Sequence, residues 1–144
     1  MNELKNTKAW FEQAIPEPTI KTTCVQIGCA YEETAELAIT LGDNSLSRRL
    51  NRISSVWKNP QDGEIDEITT MSGKDKIQML DDIVDEIVTR IGIAHNMGFD
   101  IEGALAEVNR SNFSKFEDDK PVFDANGKIT KGNHYTPPEL GKFI

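Results

Sequence analysis

Apolar residues recur every three or four positions along most of this chain, which is the spacing of an α-helix. Side chains that favour helix starts precede two of the apolar runs, at Thr19 and Asp100, and glycines that favour helix ends follow two, at Gly42 and Gly98. The tail, residues 118–144, lacks this period and is predicted to form a short extended arm. Five helices are predicted, over residues 3–14, 20–41, 45–58, 74–97 and 101–117.

Two acidic clusters interrupt these apolar runs, Glu32-Glu33-Thr-Ala-Glu36 in the second helix and Asp82-Ile-Val-Asp85 in the fourth. Residues three apart lie on one face of a helix, so Glu33 with Glu36 and Asp82 with Asp85 form two carboxylate pairs. Packing the two helices together would bring four like charges to one point, where they repel unless a cation lies among them. Oxygen ligands of this kind favour Mg²⁺, or Mn²⁺, over zinc. The alternative is a pair of solvated helix faces.

A rival acidic pair, Glu64 and Glu67, follows the turn at residues 59–63. The stretch is short and ends in two threonines, so it is predicted to be a loop or a single helical turn. We therefore expect it to matter less to a metal site than Asp82 and Asp85.

Polar residues also form a line on the fifth helix, where Asn109, Asn112 and Lys115 follow one another at intervals of three. Amides and an ammonium group suit contacts to phosphate or to a base, although a fraying helix end would have the same composition. In the first helix, Trp10 and Phe11 are predicted to be core or dimer contacts, with nucleobase stacking as the alternative.

The length of 144 residues predicts one domain, spanning residues 1–144. A net charge of -8 argues against a nucleic-acid polymer or an anionic membrane as partner. No segment approaches the roughly 20 apolar residues of a membrane span, and the first residues lack the apolar stretch of a secretory signal. Cys24 and Cys29 are interpreted as free thiols, which fits a reducing cytoplasm.

Taken in order, these motifs resemble the MazG-like, all-α nucleoside triphosphate pyrophosphohydrolases, a superfamily that includes phosphoribosyl-ATP pyrophosphohydrolase and dimeric dUTPases. The family's Glu-Glu-x-x-Glu-Leu stands at residues 32–37, and its Glu-x-x-Asp is similar to Asp82-Ile-Val-Asp85 followed by Gly98-Phe-Asp. The likeness continues through residues 109–115 and Gly-Lys-x-x-Lys-Gly at residues 127–132, as in a subgroup of bacteria and phages. The chain departs from the family pattern in two ways. Asp82 stands in place of a glutamate, and the segment between the two motifs is longer; this longer segment bears on the choice of substrate.

This resemblance implies a bundle of four to five helices that is completed by homodimerisation. It implies Mg²⁺-dependent hydrolysis of a (deoxy)nucleoside triphosphate to the monophosphate and pyrophosphate, which controls the nucleotide pool of a bacterial cytoplasm or of a phage host. Alternatives are hydrolysis of phosphoribosyl-ATP and an inactive helical binding or assembly protein. The residues implied are Glu33, Glu36, Asp82 and Asp85 as metal ligands, Glu32 or Glu33 to orient or deprotonate water, and Asn109, Asn112, Lys115 and Lys131 to bind phosphates.

Overall fold

The computed structural model describes residues 2–124 and 129–144. Within these residues the regular structure is helical and no strand forms, which confirms the all-α prediction. No described helix has both the length and the hydropathy that a membrane crossing requires. The elements are α1 Glu3–Ala14, α2 Ile20–Thr40, α3 Asn44–Lys58, α4 Asp62–Thr69, α5 Gly73–Met97, α6 Ile101–Phe113 and a 3₁₀ turn at Gly141–Phe143.

Four predicted helices are confirmed to within one residue at each end. Capping helps to explain this accuracy, because Thr19 Oγ1 accepts a hydrogen bond from Thr22 N at the start of α2 and Asp43 Oδ1 accepts one from Leu46 N at the start of α3. The fifth prediction was four residues too long, since α6 ends at Phe113. Asp118 and Asp119 both have positive φ, and the chain reverses there through hydrogen bonds between Glu117 and Lys120.

The prediction of a loop or single turn around Glu64 was wrong, because α4 is an eight-residue helix. Glu64 itself helps to start it, since its Oε2 accepts a hydrogen bond from Gln61 N at 2.9 Å. The two threonines that suggested a loop are part of the end of this helix. Their hydroxyl groups, those of Thr69 and Thr70, donate hydrogen bonds to backbone carbonyl groups one turn earlier. Short polar side chains of this kind are compatible with a last helical turn.

The described chain divides into two compact units: a central unit, Glu17–Met79, and a terminal unit containing the residues up to Pro16 and those from Leu80 onward. In the central unit, α2 packs on α3 and on α4. The α2–α3 contact uses small side chains, and Ser54 Oγ donates a buried hydrogen bond of 2.7 Å to Gly28 O. The buried positions are Cys24, Gly28, Ala35 and Ala38 on α2, and Ser47 and Ser54 on α3.

Larger apolar side chains of the central unit are partly exposed, among them Tyr31, Leu46 and Ile53. Close contact through glycine, alanine and serine lets two helix backbones approach, and the larger residues are left on the flanks.

The terminal unit has a small aromatic core. Trp10 stacks on Phe116 with ring centroids 5.8 Å apart, and Trp10 Nε1 donates to Asn112 O at 2.9 Å. Ala14 completes the buried cluster. The interpretation of Trp10 as a core residue is thus confirmed, while its stacking partner is a phenylalanine of the same chain.

The residues after α6 return along that helix. Thr136 exchanges hydrogen bonds with α6, since its carbonyl accepts from Ser111 Oγ and its amide donates to Ser114 Oγ, both at 2.9 Å. Further along, Asp100 N donates to Phe143 O. The pair Asn126-Gly127, a combination that favours a tight turn, lies outside the described residues. Phe123 and Ile129 form a single antiparallel bridge.

Candidate functional site

The first acidic cluster lies on α2 in the central unit. Glu32 forms an ion pair with Lys58, which stands at the last position of α3. The stem of Lys58 crosses Gly28, where an added Cβ would lie only 2.7 Å from Lys58 Cγ. The glycine therefore leaves the space in which this lysine reaches the cluster.

Glu33 and Glu36 stand on the same helix and are both exposed. Their separation of three residues places them on adjacent turns of one face, as predicted. The surroundings of the three acids on α2 therefore differ: Glu32 is paired with a cation of α3, whereas Glu33 and Glu36 are exposed.

The second acidic cluster belongs to the terminal unit, where Asp82 and Asp85 are exposed on the long helix α5. They too share one helix face. In the part of the chain that the structure describes, no group of three or more acidic, histidine or cysteine side chains forms a metal-binding cluster. Each pair supplies two oxygen ligands from its own unit, and their convergence on one ion stays a prediction.

The rival acids of α4 have different surroundings. Glu64 is half-buried and is engaged in starting the helix, whereas Glu67 is exposed one turn later. Their side chains therefore provide one structural carboxylate and one surface carboxylate, which makes them a useful internal comparison.

Asn109 is buried and connects α6 with α1 in the terminal unit. Its Nδ2 donates to Glu3 O at 3.0 Å and to Glu3 Oε2 at 3.2 Å, while its Oδ1 accepts from Thr7 Oγ1 at 3.0 Å. Hydrogen bonds from Asn6 and then from Asn109 lower the pKa of the Glu3 carboxyl. The whole amide is thus used in holding two helices together.

Asn112 and Lys115 are brought together as predicted. Lys115 Nζ donates to Asn112 Oδ1 at 2.8 Å and lies 5.8 Å from the centroid of the Trp10 ring. Lys131, the remaining predicted phosphate ligand, is exposed with its ammonium 4.7 Å from the centroid of the Tyr135 ring. Both ammonium groups are positioned by aromatic side chains of their own unit.

Two features escaped the sequence analysis. The first is the ion pair between Glu107 and Arg110, which also holds the tail: Glu107 Oε1 accepts from Glu139 N at 2.9 Å, and Arg110 Nη1 donates to Thr136 Oγ1 at 2.5 Å. The hydrogen bonds from Arg110 and from the Glu139 amide lower the pKa of Glu107 to about 2. The spacing of three residues could have indicated the pair, but nothing in the sequence marked its partners in the tail.

The second is an open cleft of about 530 Å³ between the end of α3 and the start of α4. The cleft belongs to the segment between the two acidic motifs. The extra length of this segment was the only feature of the sequence that could have pointed to the cleft. The lining residues are Ser55, Val56, Asn59, Gln61, Gly63 and Glu64.

Comparison of the chain with protein-family models, curated proteins and solved structures finds no match. The resemblance to MazG-like pyrophosphohydrolases therefore rests on the order and spacing of the motifs.

Proposed function

We propose that this chain is a Mg²⁺-dependent nucleoside triphosphate pyrophosphohydrolase, which converts a (deoxy)nucleoside triphosphate to the monophosphate and pyrophosphate. One observation carries the proposal: both acidic motifs lie within regular helices, and each presents two carboxylates on one exposed face. Metal ligands need accessible oxygen atoms on rigid elements, and the two pairs meet that requirement.

The donor set fits the proposed ion. Glu33, Glu36, Asp82 and Asp85 offer only carboxylate oxygens, which are the ligands that hard divalent cations prefer. When bound, Mg²⁺ would neutralise phosphate charge and lower the pKa of a ligated water.

Glu32 is the residue we assign to the attacking water, with Glu33 as the second choice. Lys58 holds Glu32 in place, so that a carboxylate oxygen can accept a hydrogen bond from water and then its proton. Phosphoryl transfer depends on placing that water in line with the scissile bond, which is a matter of position and charge.

Lys115, Asn112 and Lys131 would bind the phosphates. An ammonium group has three donors, and Lys115 uses one of them on Asn112, so two are left for phosphate oxygens. Asn109 would contribute through its hydrogen bonds to α1, which fix the position of α6 and of Asn112 on it.

The dimer that the proposal includes would form along α5. Leu80, Val84, Ile87 and Ile91 alternate at spacings of four and three, which is a coiled-coil seam, and each is 44–63% exposed. We assign a second copy of α5 as the occupant of this seam. In a parallel pair, the flanking Lys76 of one copy would lie beside Asp81 of the other, because positions five apart face each other across such a seam.

The test is hydrolysis of a panel of nucleoside and deoxynucleoside triphosphates with Mg²⁺, in which ³¹P NMR identifies the products. Pyrophosphate and monophosphate are expected. Glu36→Gln and Asp85→Asn should each lower kcat by about 10²-fold or more, the order of loss when one stabilising group is removed from a transition state. Glu67→Gln is the matched control on a surface acid and should keep wild-type turnover.

Two results would contradict the proposal. Wild-type turnover in both ligand variants would exclude the four-carboxylate site. A folded protein that hydrolyses none of the triphosphates would favour the inactive binding protein, unless phosphoribosyl-ATP is cleaved, which would identify the other alternative.

A further inference from the structure

The cleft between α3 and α4 has the size of a small-molecule site. Its volume of about 530 Å³ lies within the range of roughly 300–1,000 Å³ that ligand pockets occupy. Val56 gives it an apolar wall, since this side chain is 51% exposed and lines the cleft. A flat aromatic ring could therefore lie against Val56 with its edge toward the polar residues.

Several donors in the lining are already engaged. Asn59 Nδ2 donates to Ser55 O at 2.9 Å, and Gln61 Nε2 donates to Asn59 O at 3.1 Å. Gln61 N donates to Glu64 Oε2. Each of these hydrogen bonds stays within the short connection between the two helices.

Two hydrogen-bond acceptors in the lining of the cleft are not engaged in this way. Asn59 Oδ1 and Glu64 Oε1 accept no hydrogen bond from any residue that the structure describes. Both can accept from a ligand, and the carboxylate is the stronger of the two because it is charged. The cleft is thus selective by chemistry: it favours a ligand that presents N–H groups along one edge.

The position of the cleft connects it with the first acidic motif. Asn59 directly follows Lys58, whose ammonium pairs with Glu32. The cleft and the first acidic motif therefore belong to the same unit.

We propose that this cleft binds the nucleobase of the substrate and selects bases that carry an exocyclic amino group, namely adenine, cytosine and guanine, over uracil and thymine. The inference rests on the proposed function for the identity of the substrate. The amino N–H groups would donate to Glu64 Oε1 and Asn59 Oδ1, as amino groups of bases donate to carboxylates elsewhere. Uracil and thymine present a single N–H, at N3, between two carbonyl oxygens, so one of the two acceptors would face a carbonyl oxygen and stay without a donor.

Nucleosides without phosphate test the cleft apart from catalysis. The full-length protein, without Mg²⁺, is titrated with cytidine, adenosine, guanosine and uridine while backbone amide NMR shifts are followed. We expect shifts at residues 55–64 with the three amino-bearing nucleosides, and binding of uridine at least several-fold weaker.

Glu64→Gln sharpens the test, because its carbonyl oxygen can still accept from Gln61 N while an NH₂ group replaces the oxygen that faces the ligand. Loss of one charged hydrogen bond should weaken binding of the amino-bearing nucleosides about tenfold and reduce the discrimination against uridine. Glu67→Gln removes the same charge from the next turn of α4 and should change neither.

The outcomes separate this inference from the proposed function. Absence of shifts at residues 55–64, or equal effects of the two variants, would overturn the cleft assignment even in a protein that hydrolyses triphosphates. Nucleoside binding that Glu64→Gln weakens, in a protein without hydrolytic activity, would support the cleft and overturn the enzyme.

Discussion

Single residues decide how closely the helices of the central unit approach, and Gly28 is the clearest case. A Cβ added there would lie 2.8 Å from Ser54 O and 2.9 Å from Lys58 N, both backbone atoms that cannot move aside without shifting α3. The same glycine makes room for Lys58 to reach Glu32. A residue without a side chain thus connects helix packing with the first acidic motif.

Gly28→Ala should therefore destabilise the protein, by about 1–3 kcal/mol, which is the usual cost of overpacking a close contact. Gly92→Ala is the matched control: it lies in α5, has nothing within 4 Å of an added Cβ, and should be neutral or stabilising by up to about 1 kcal/mol. Urea unfolding followed by circular dichroism measures both. Equal stability of the two variants would show that α2 and α3 do not pack through Gly28.

At the scale of elements, capping residues and glycines made helix ends predictable, while weak apolar periodicity hid α4. Only Ile65 and Ile68 mark its apolar side, too few to establish a helical period. The end of α6 was missed for another reason: the turn after it depends on positive φ at Asp118 and Asp119, a conformation that aspartate allows but does not require.

The attachment of the tail to α6 depends on Glu107 and gives a pH-dependent prediction. Because folding lowers the pKa of Glu107 from 4.5 to about 2, its contribution to stability is complete above pH 4.5 and is lost as the pH falls toward 2. Glu107→Gln should lower stability at pH 7 and have a smaller effect at pH 2 to 3, where the wild-type carboxyl becomes protonated.

Urea unfolding of both proteins across this pH range checks the prediction. Glu102→Gln, on the exposed side of α6, serves as the control for removal of a charge. A difference between Glu107→Gln and wild type that does not change with pH would mean that the ion pair and the Glu139 contact do not stabilise the folded tail.

On the scale of the whole molecule, the sequence predicted which residues share a helix face but not which faces meet. Glu33 with Glu36, and Asp82 with Asp85, follow from helical spacing alone. Asn109 illustrates the limit: its spacing matched that of Asn112 and Lys115, yet its partners, Glu3 and Thr7, lie more than a hundred positions earlier in the chain. Contacts of that separation depend on tertiary packing, which periodicity does not encode.

The assembly of two copies along α5 is the last prediction. Ile87 is central in the proposed seam, and Ile93, which is similarly exposed, points about 120° away around the helix. Ile87→Asp would place two charges in an apolar interface and should convert the dimer to a monomer, whereas Ile93→Asp should remain dimeric. Sedimentation velocity over a range of protein concentrations distinguishes these states, and circular dichroism confirms that both variants are helical. A monomeric wild type, or dissociation by both substitutions alike, would remove α5 as the dimer interface, because a seam formed by one face must respond to a charge on that face alone.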